Sequence, residues 1–309
     1  MFLPKDFIET AEGLIFAVVA HGLENEKARC FLRYVRGENG RYRKVQTDEA
    51  NELLAKSYSH YCFHSHEFDA FLHAVDVEKI AFHHKPSYRL QQLLKNSQVD
   101  EIEKNCVQLC KLFEQTGVDL AHFGVTGSLL IGQQKASSDI DLVCYDVQMF
   151  YKAREAVSQL IEQNLLSDLT HNDWQESYAR RDCDLSFDSY VWHEKRKANK
   201  GMIFGRKFDL SLVEKSTNQS ANTFSKLGKI TLQAQIADDT RAFCYPAEFE
   251  LADSKIQKVV CFTATYVGQA ITGERVEISG QLEQDDAGNQ RIVVGSSREA
   301  RGEYIYCIC

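Results

Sequence analysis

No run of eighteen apolar residues occurs in the 309-residue chain, so the sequence offers no transmembrane helix. The first residues, MFLPKDFIETAEG, lack a basic segment followed by a sustained apolar one and do not read as a secretory leader. Positive charge is also short. The net charge of -8 argues against a protein that simply coats nucleic acid, because generic phosphate binding needs a positive surface. Ten cysteines are present, but their scattered positions outline no disulfide framework and are expected to be reduced thiols of a cytoplasmic protein. Neither an internal repeat nor a low-complexity tract is evident. What is there, 44% hydrophobic and 26% charged residues, is the composition of an ordinary folded soluble protein with two or three domains.

The most informative stretch runs from Leu120 to Tyr145, LAHFGVTGSLLIGQQKASSDIDLVCY. An apolar run ends in Gly127-Ser128, a polar connection follows, and Asp139-Ile140-Asp141 leads into Leu142-Val143-Cys144. On a β-strand Asp139 and Asp141 share one face while Ile140 and Leu142 face a core. Two neighbouring carboxylates repel unless a cation lies between them, and an oxygen-only donor set suits Mg²⁺ or Mn²⁺. Gly127-Ser128, where a strand gives way to a helix, can present backbone amides and a hydroxyl to phosphate.

Around this centre the pattern changes along the chain. The first 88 residues read as mostly β, with a hairpin at Ala11-Glu12-Gly13 and further strands at Cys30–Val35, Ala70–Val75 and Ile80–Phe82. Within them, His60, Cys62, His64 and His66 would share a face if extended, and imidazole with thiolate is zinc chemistry. Structural zinc ligands usually come as two separated pairs, so a histidine-bearing edge strand is the plainer reading. Ile102, Cys106, Leu109, Cys110 and Phe113 recur at helical spacing, as do Met149, Phe150, Ala153, Val157, Leu160 and Ile161. Leu185-Ser186-Phe187 and Phe208–Val213 read as strands, the second with Asp209 and Ser211 opposite its apolar residues. Between them lies a basic segment in which Lys195, Arg196, Lys197, Lys200, Arg206 and Lys207 face a single Glu194. The polar stretch from Glu214 to Gly228 reads as a linker, and the β-branched, glycine-punctuated remainder as a small barrel or sandwich. Cys307 and Cys309 alternate near its end, where two thiols alone make a weak metal claim.

Gly127-Ser128, a ten-residue gap, Asp139-x-Asp141 in an apolar strand and Asp209 on a later strand together resemble the DNA polymerase beta-like nucleotidyltransferase superfamily. The likeness covers about residues 90–213. Over the whole chain, the stretches GLIFAVV, HEKRKANKGMIFGRKFDL and VVGSSREARGEYI are similar to a group of predicted, mostly archaeal nucleotidyltransferases. The resemblance implies an α/β (α+β) chain with a mixed β-sheet and flanking helices in a catalytic domain at 89–215. An N-terminal β-rich domain would occupy 1–88 and a C-terminal barrel-like domain 229–309. It implies that Asp139, Asp141 and Asp209 ligate Mg²⁺ or Mn²⁺ and that Gly127 and Ser128 hold the triphosphate of an NTP, expected to be ATP. Asp184 and Asp188 are rivals for the third carboxylate. Position and charge, rather than the superfamily motif, suggest Arg196, Lys200 and Arg206 for neutralising pyrophosphate.

The expected reaction transfers a nucleoside monophosphate from an NTP to an acceptor hydroxyl. RNA or DNA is the first-choice acceptor, given the basic segment and a C-terminal module that could be an oligonucleotide-binding barrel. A protein or small-molecule hydroxyl is the rival within the enzyme class, and a nucleotide-sensing interaction module the rival outside it. No membrane partner is expected.

Overall fold

The computed structural model describes residues 1–96, 100–181, 183–215, 223–252, 255–297 and 300–308. The fold is α+β, with three sheets and seven α-helices among the described residues. The chain forms two compact units, one of Met1–Ser65, Phe71–Ser167 and Gly201–Thr217, the other of His66–Ala70, Asp168–Lys200 and Asn218–Cys309. The expected seam at residue 88 therefore falls inside the first unit, and residues 168–200 belong with the C-terminal strands rather than with the central sheet.

The first unit opens with β1 (Phe7–Thr10), β2 (Leu14–Val18), β3 (Lys27–Arg36) and β4 (Tyr42–Lys44), then helix α1 (Thr47–Ser57). Three further strands, β5 (Cys62–Ser65), β6 (Ala70–Asp76) and β7 (Ile80–His84), complete a seven-stranded sheet of order β5-β6-β3-β2-β1-β7, with β4 paired to β3. The apolar run Leu14–Val18 lacks alternation because both faces of this sheet are covered. Ile8, Leu14, Phe16 and Leu32 pack with Ala50 and Leu54 of α1. On the opposite face Phe7, Ile15 and Tyr34 pack against Leu130. Each large side chain buried this way contributes about 1.5–3 kcal/mol, which explains why the N-terminal strands do not form a separate body.

The second sheet follows α2 (Pro86–Lys95) and α3 (Glu101–Gln115) and is built from β8 (Phe123–Thr126), the short helix α4 (Gly127–Leu130), β9 (Ile140–Cys144) and helix α5 (Val147–Glu162). Pro86 starts α2, where its missing N–H costs nothing. Asp100 and Glu103 form a capping box on α3. The predicted stripe Ile102, Cys106, Leu109, Cys110 and Phe113 is buried, and the Phe113 ring meets Phe208 edge-on at 6.4 Å. With β10 (Lys200–Ile203) and β11 (Arg206–Leu212) the order is β10-β11-β9-β8.

In the second unit the helices α6 (His171–Arg181) and α7 (Phe187–Arg196) correct the expected strand at Leu185–Phe187. Ser186 is not a strand residue but the N-cap of α7, its hydroxyl accepting the Ser189 N–H. The remaining strands are β12 (Phe224–Asp238), β13 (Ala247–Ala252), β14 (Lys258–Cys261), β15 (Arg275–Asp285), β16 (Gln290–Val294) and β17 (Tyr304–Cys307). They pair in the order β12-β13-β14-β16-β15-β17, and β12 also pairs with β15. That extra pairing closes a five-stranded ring, so the module is a barrel and not a sandwich. The part of the expected linker from Phe224 to Gly228 is strand; residues 216–222 and Cys309 lie outside the described residues.

Candidate functional site

Strands β9 and β11 run parallel, and their register sets Asp209 directly beside Asp141. The flanking pairs Phe208↔Ile140 and Leu210↔Leu142 are buried, so the two aspartates share the opposite face. Parallel strands lie about 4.8 Å apart, which makes these carboxylates near neighbours. Asp139 stands one residue before β9 and continues the same alternation. Burial, then the charge of Asp209, push the Asp141 carboxyl up to about 6, with Asp139 adding to the effect and Lys5 and Lys44 opposing it. Repulsion of this kind is relieved by a cation.

Gly127 comes into the site through β8, whose last residue Thr126 is paired with Asp141. Its φ of +66° is the left-handed conformation that suits glycine, and an added Cβ would stand 2.2 Å from Asp141 Oδ2. Thus Gly127 leaves room for the carboxylate, and Ser128 is the next residue of the same turn. Arg89 steadies the turn from α2 by donating through Nε to the Leu129 carbonyl at 3.0 Å and by pairing with Glu103.

Arg206, expected to meet pyrophosphate, is bonded to the backbone just before Asp139. Its Nη1 donates to the Ala136 and Ser138 carbonyls at 2.9 and 2.8 Å. The Thr126 hydroxyl donates to the Lys5 carbonyl at 2.7 Å, which ties the segment leading into the N-terminal sheet to the end of β8, just before Gly127. Burial raises the Tyr34 hydroxyl pKa; Arg33 opposes this and Asp141 adds to it. Lys5, Tyr34 and Lys44 were not legible as site residues, since none lies in a motif. The structure thus brings Gly127, Ser128, Asp139, Asp141, Arg206 and Asp209 together within one unit.

Arg196 and Lys200 belong to the other unit and are engaged there. Arg196 donates to Glu274 at 2.6 Å and lies 4.4 Å over the Trp192 ring, while Lys200 pairs with Glu194. The same Glu194 accepts from the buried Lys197 at 2.6 Å, and despite burial these two lysines hold its carboxyl down at about 2. The basic segment is therefore not a free cationic run. Asp184, which accepts the Gly302 N–H, and Asp188, in the first turn of α7, also lie in the second unit.

His60 sits in a 3-10 turn, Cys62 to Ser65 form β5 and His66 follows it, so the four zinc candidates do not line one extended face. Among the described residues no group of three or more His, Cys, Asp or Glu side chains is gathered closely enough to hold a metal ion. The aspartate site nevertheless fits a hard divalent cation in the chemistry of its donors: all are oxygen, and Asp141 and Asp209 stand in register on neighbouring strands. No helix among the described residues is long and apolar enough to cross a membrane.

Compared with known proteins, the chain is 34% identical over 332 aligned positions to the uncharacterized protein MJ1086 of Methanocaldococcus jannaschii, covering 97% of each. No family model and no solved structure matches it.

Proposed function

We propose that this chain, which belongs to one family with the uncharacterized Methanocaldococcus jannaschii protein, is a metal-dependent nucleotidyltransferase. The supporting observation is the in-register pair Asp141 and Asp209 with Gly127 folded against the Asp141 carboxylate. Asp139, Asp141 and Asp209 would hold Mg²⁺ or Mn²⁺, and Gly127 with Ser128 would seat the triphosphate. Bound there, the metal supplies charge stabilisation to an in-line displacement. In that displacement the acceptor hydroxyl gives up its proton to water, its oxygen bonds to the α-phosphorus as the bond to the bridging oxygen breaks, and pyrophosphate leaves. Arg206 keeps the 136–138 backbone, and with it Asp139, in place.

For the acceptor, the favoured class is nucleic acid. Support comes from the closed five-stranded barrel, an architecture that in other proteins binds oligonucleotides. The engagement of Arg196, Lys197 and Lys200 by acidic partners weakens the basic-segment argument for the same class. Incubation with Mg²⁺ and each of four α-labelled NTPs, with and without RNA, tests the reading. Label is expected in RNA, and the Asp141→Ala variant is expected to transfer none. Label in the protein or in a small molecule would move the acceptor to the rival class, and no transfer to any acceptor would refute the enzyme.

A further inference from the structure

Lys5 is the feature of the site that neither the motif nor the fold requires. It precedes β1, its φ is +76°, and a lysine gains nothing from that conformation. The backbone enforces it from both sides: the Lys5 N–H donates to the Val18 carbonyl at 3.1 Å, and its carbonyl accepts the Thr126 hydroxyl. Thr126 is the residue before Gly127 and the partner of Asp141, so the strained residue is fastened to the edge of the carboxylate site. Phe7, two residues on, packs with Leu130 at the end of α4, which fixes the sheet face that looks toward the Gly-Ser turn. The Lys5 side chain is half-buried, and among the described residues its ammonium makes no hydrogen bond or ion pair. Thr126 and Asp141 are cross-strand partners and point to the same face of the sheet, so the Thr126 hydroxyl bond sets Lys5 over the carboxylate face, and the exposed Lys44 ends β4 opposite Tyr34.

We propose that Lys5 is a ligand of the nucleotide triphosphate, held by a strained backbone so that its ammonium faces the Gly127-Ser128 turn across the carboxylate site, with Lys44 adding positive potential. This rests on the nucleotidyltransferase reading and extends it, because it assigns the N-terminal sheet a share of the substrate site. A polyanion placed beside three aspartates needs compensating cations, and Arg196 and Lys200 are committed to Glu274 and Glu194. Only the phosphates, not the base or ribose, should feel Lys5.

Equilibrium binding of ATP, ADP, AMP and adenosine at fixed free Mg²⁺ tests this on the full chain. The informative variant is Lys5→Gly, which removes the ammonium and suits the left-handed backbone, so misfolding does not confound it. Its thermal midpoint should hold or rise while ATP affinity falls about tenfold or more, AMP changes less and adenosine not at all. Lys5→Arg should retain ATP affinity within about threefold. Wild-type affinity for ATP in Lys5→Gly, or an equal loss for ATP and adenosine, would overturn the assignment while leaving the nucleotidyltransferase reading intact. Failure of the wild-type protein to bind ATP would refute both.

Discussion

Replacing Gly127 by alanine separates the geometry of the carboxylate site from its stability. Two costs arise. Holding a non-glycine residue at a φ of +66° costs about 1–2 kcal/mol. The new Cβ would also stand 2.2 Å from Asp141 Oδ2 and 3.2 Å from its Cγ, so the carboxylate must retreat by roughly 1 Å, an adjustment familiar from off-rotamer side chains at about 0.5–1.5 kcal/mol. The total, about 1.5–3.5 kcal/mol, is below the stability of a typical domain and leaves a folded protein. A reacting centre misplaced by about 1 Å, however, loses on the order of 100-fold in rate. Gly132→Ala is the matched control: its φ is +64°, and nothing lies within 4 Å of its added Cβ. Urea unfolding paired with single-turnover transfer of labelled nucleotide reads both quantities. Gly127→Ala should cost little more stability than Gly132→Ala yet lose about two orders of magnitude in transfer, while Gly132→Ala keeps its rate. Transfer by Gly127→Ala within about threefold of wild type would refute the argument.

Arg206→Ala removes both bonds that fix the 136–138 backbone and should slow transfer at least tenfold with a stability loss near 1 kcal/mol, read by the same two assays; an unchanged rate would show that Asp139 needs no such support. His193, buried beside Arg196, Lys197 and Glu274, has its pKa lowered to about 4, chiefly by burial and then by Lys197. The unfolded chain then binds more protons than the folded one between about pH 6.5 and 4, so up to about 3 kcal/mol present above that window is lost as pH falls through it; urea midpoints should drop accordingly in wild type and less steeply in His193→Gln, and equal slopes would refute this.

Alternation made β9 and β11 legible. Ile140, Leu142, Phe208 and Leu210 face a core, and that leaves Asp141 and Asp209 on the other side. Their adjacency was not legible, because a strand's period gives its faces but not its neighbour. The apolar run at Leu14–Val18 was legible as a strand of a hairpin, but its cover on both faces was not, and nothing in it names Leu130 as one of the covers. Helix α7 was missed for a different reason. Its inward positions, Tyr190, His193, Glu194 and, one residue beyond, Lys197, do keep helical spacing, but an internal ion pair occupies two of them and hides the stripe from a reading based on apolarity. The same Glu194 also engages Lys200, one of the residues suggested for pyrophosphate, which charge counting along the sequence does not reveal.

The order of segments in the two units bears on how the protein can be cut. Residues Asp168–Lys200 of the second unit lie in sequence between Asp141 and Asp209 of the first. A single break in the chain therefore never yields one unit free of segments of the other. A fragment ending after Leu212 carries all three aspartates but also the orphaned helices α6 and α7, whose buried Lys197 has lost the Thr265 carbonyl that accepts from it. A fragment starting at Phe224 has the barrel strands without those helices. During synthesis the pair Asp141–Asp209 cannot form until β11 has emerged, so the nascent chain completes the site only after the helical excursion through the second unit has been made.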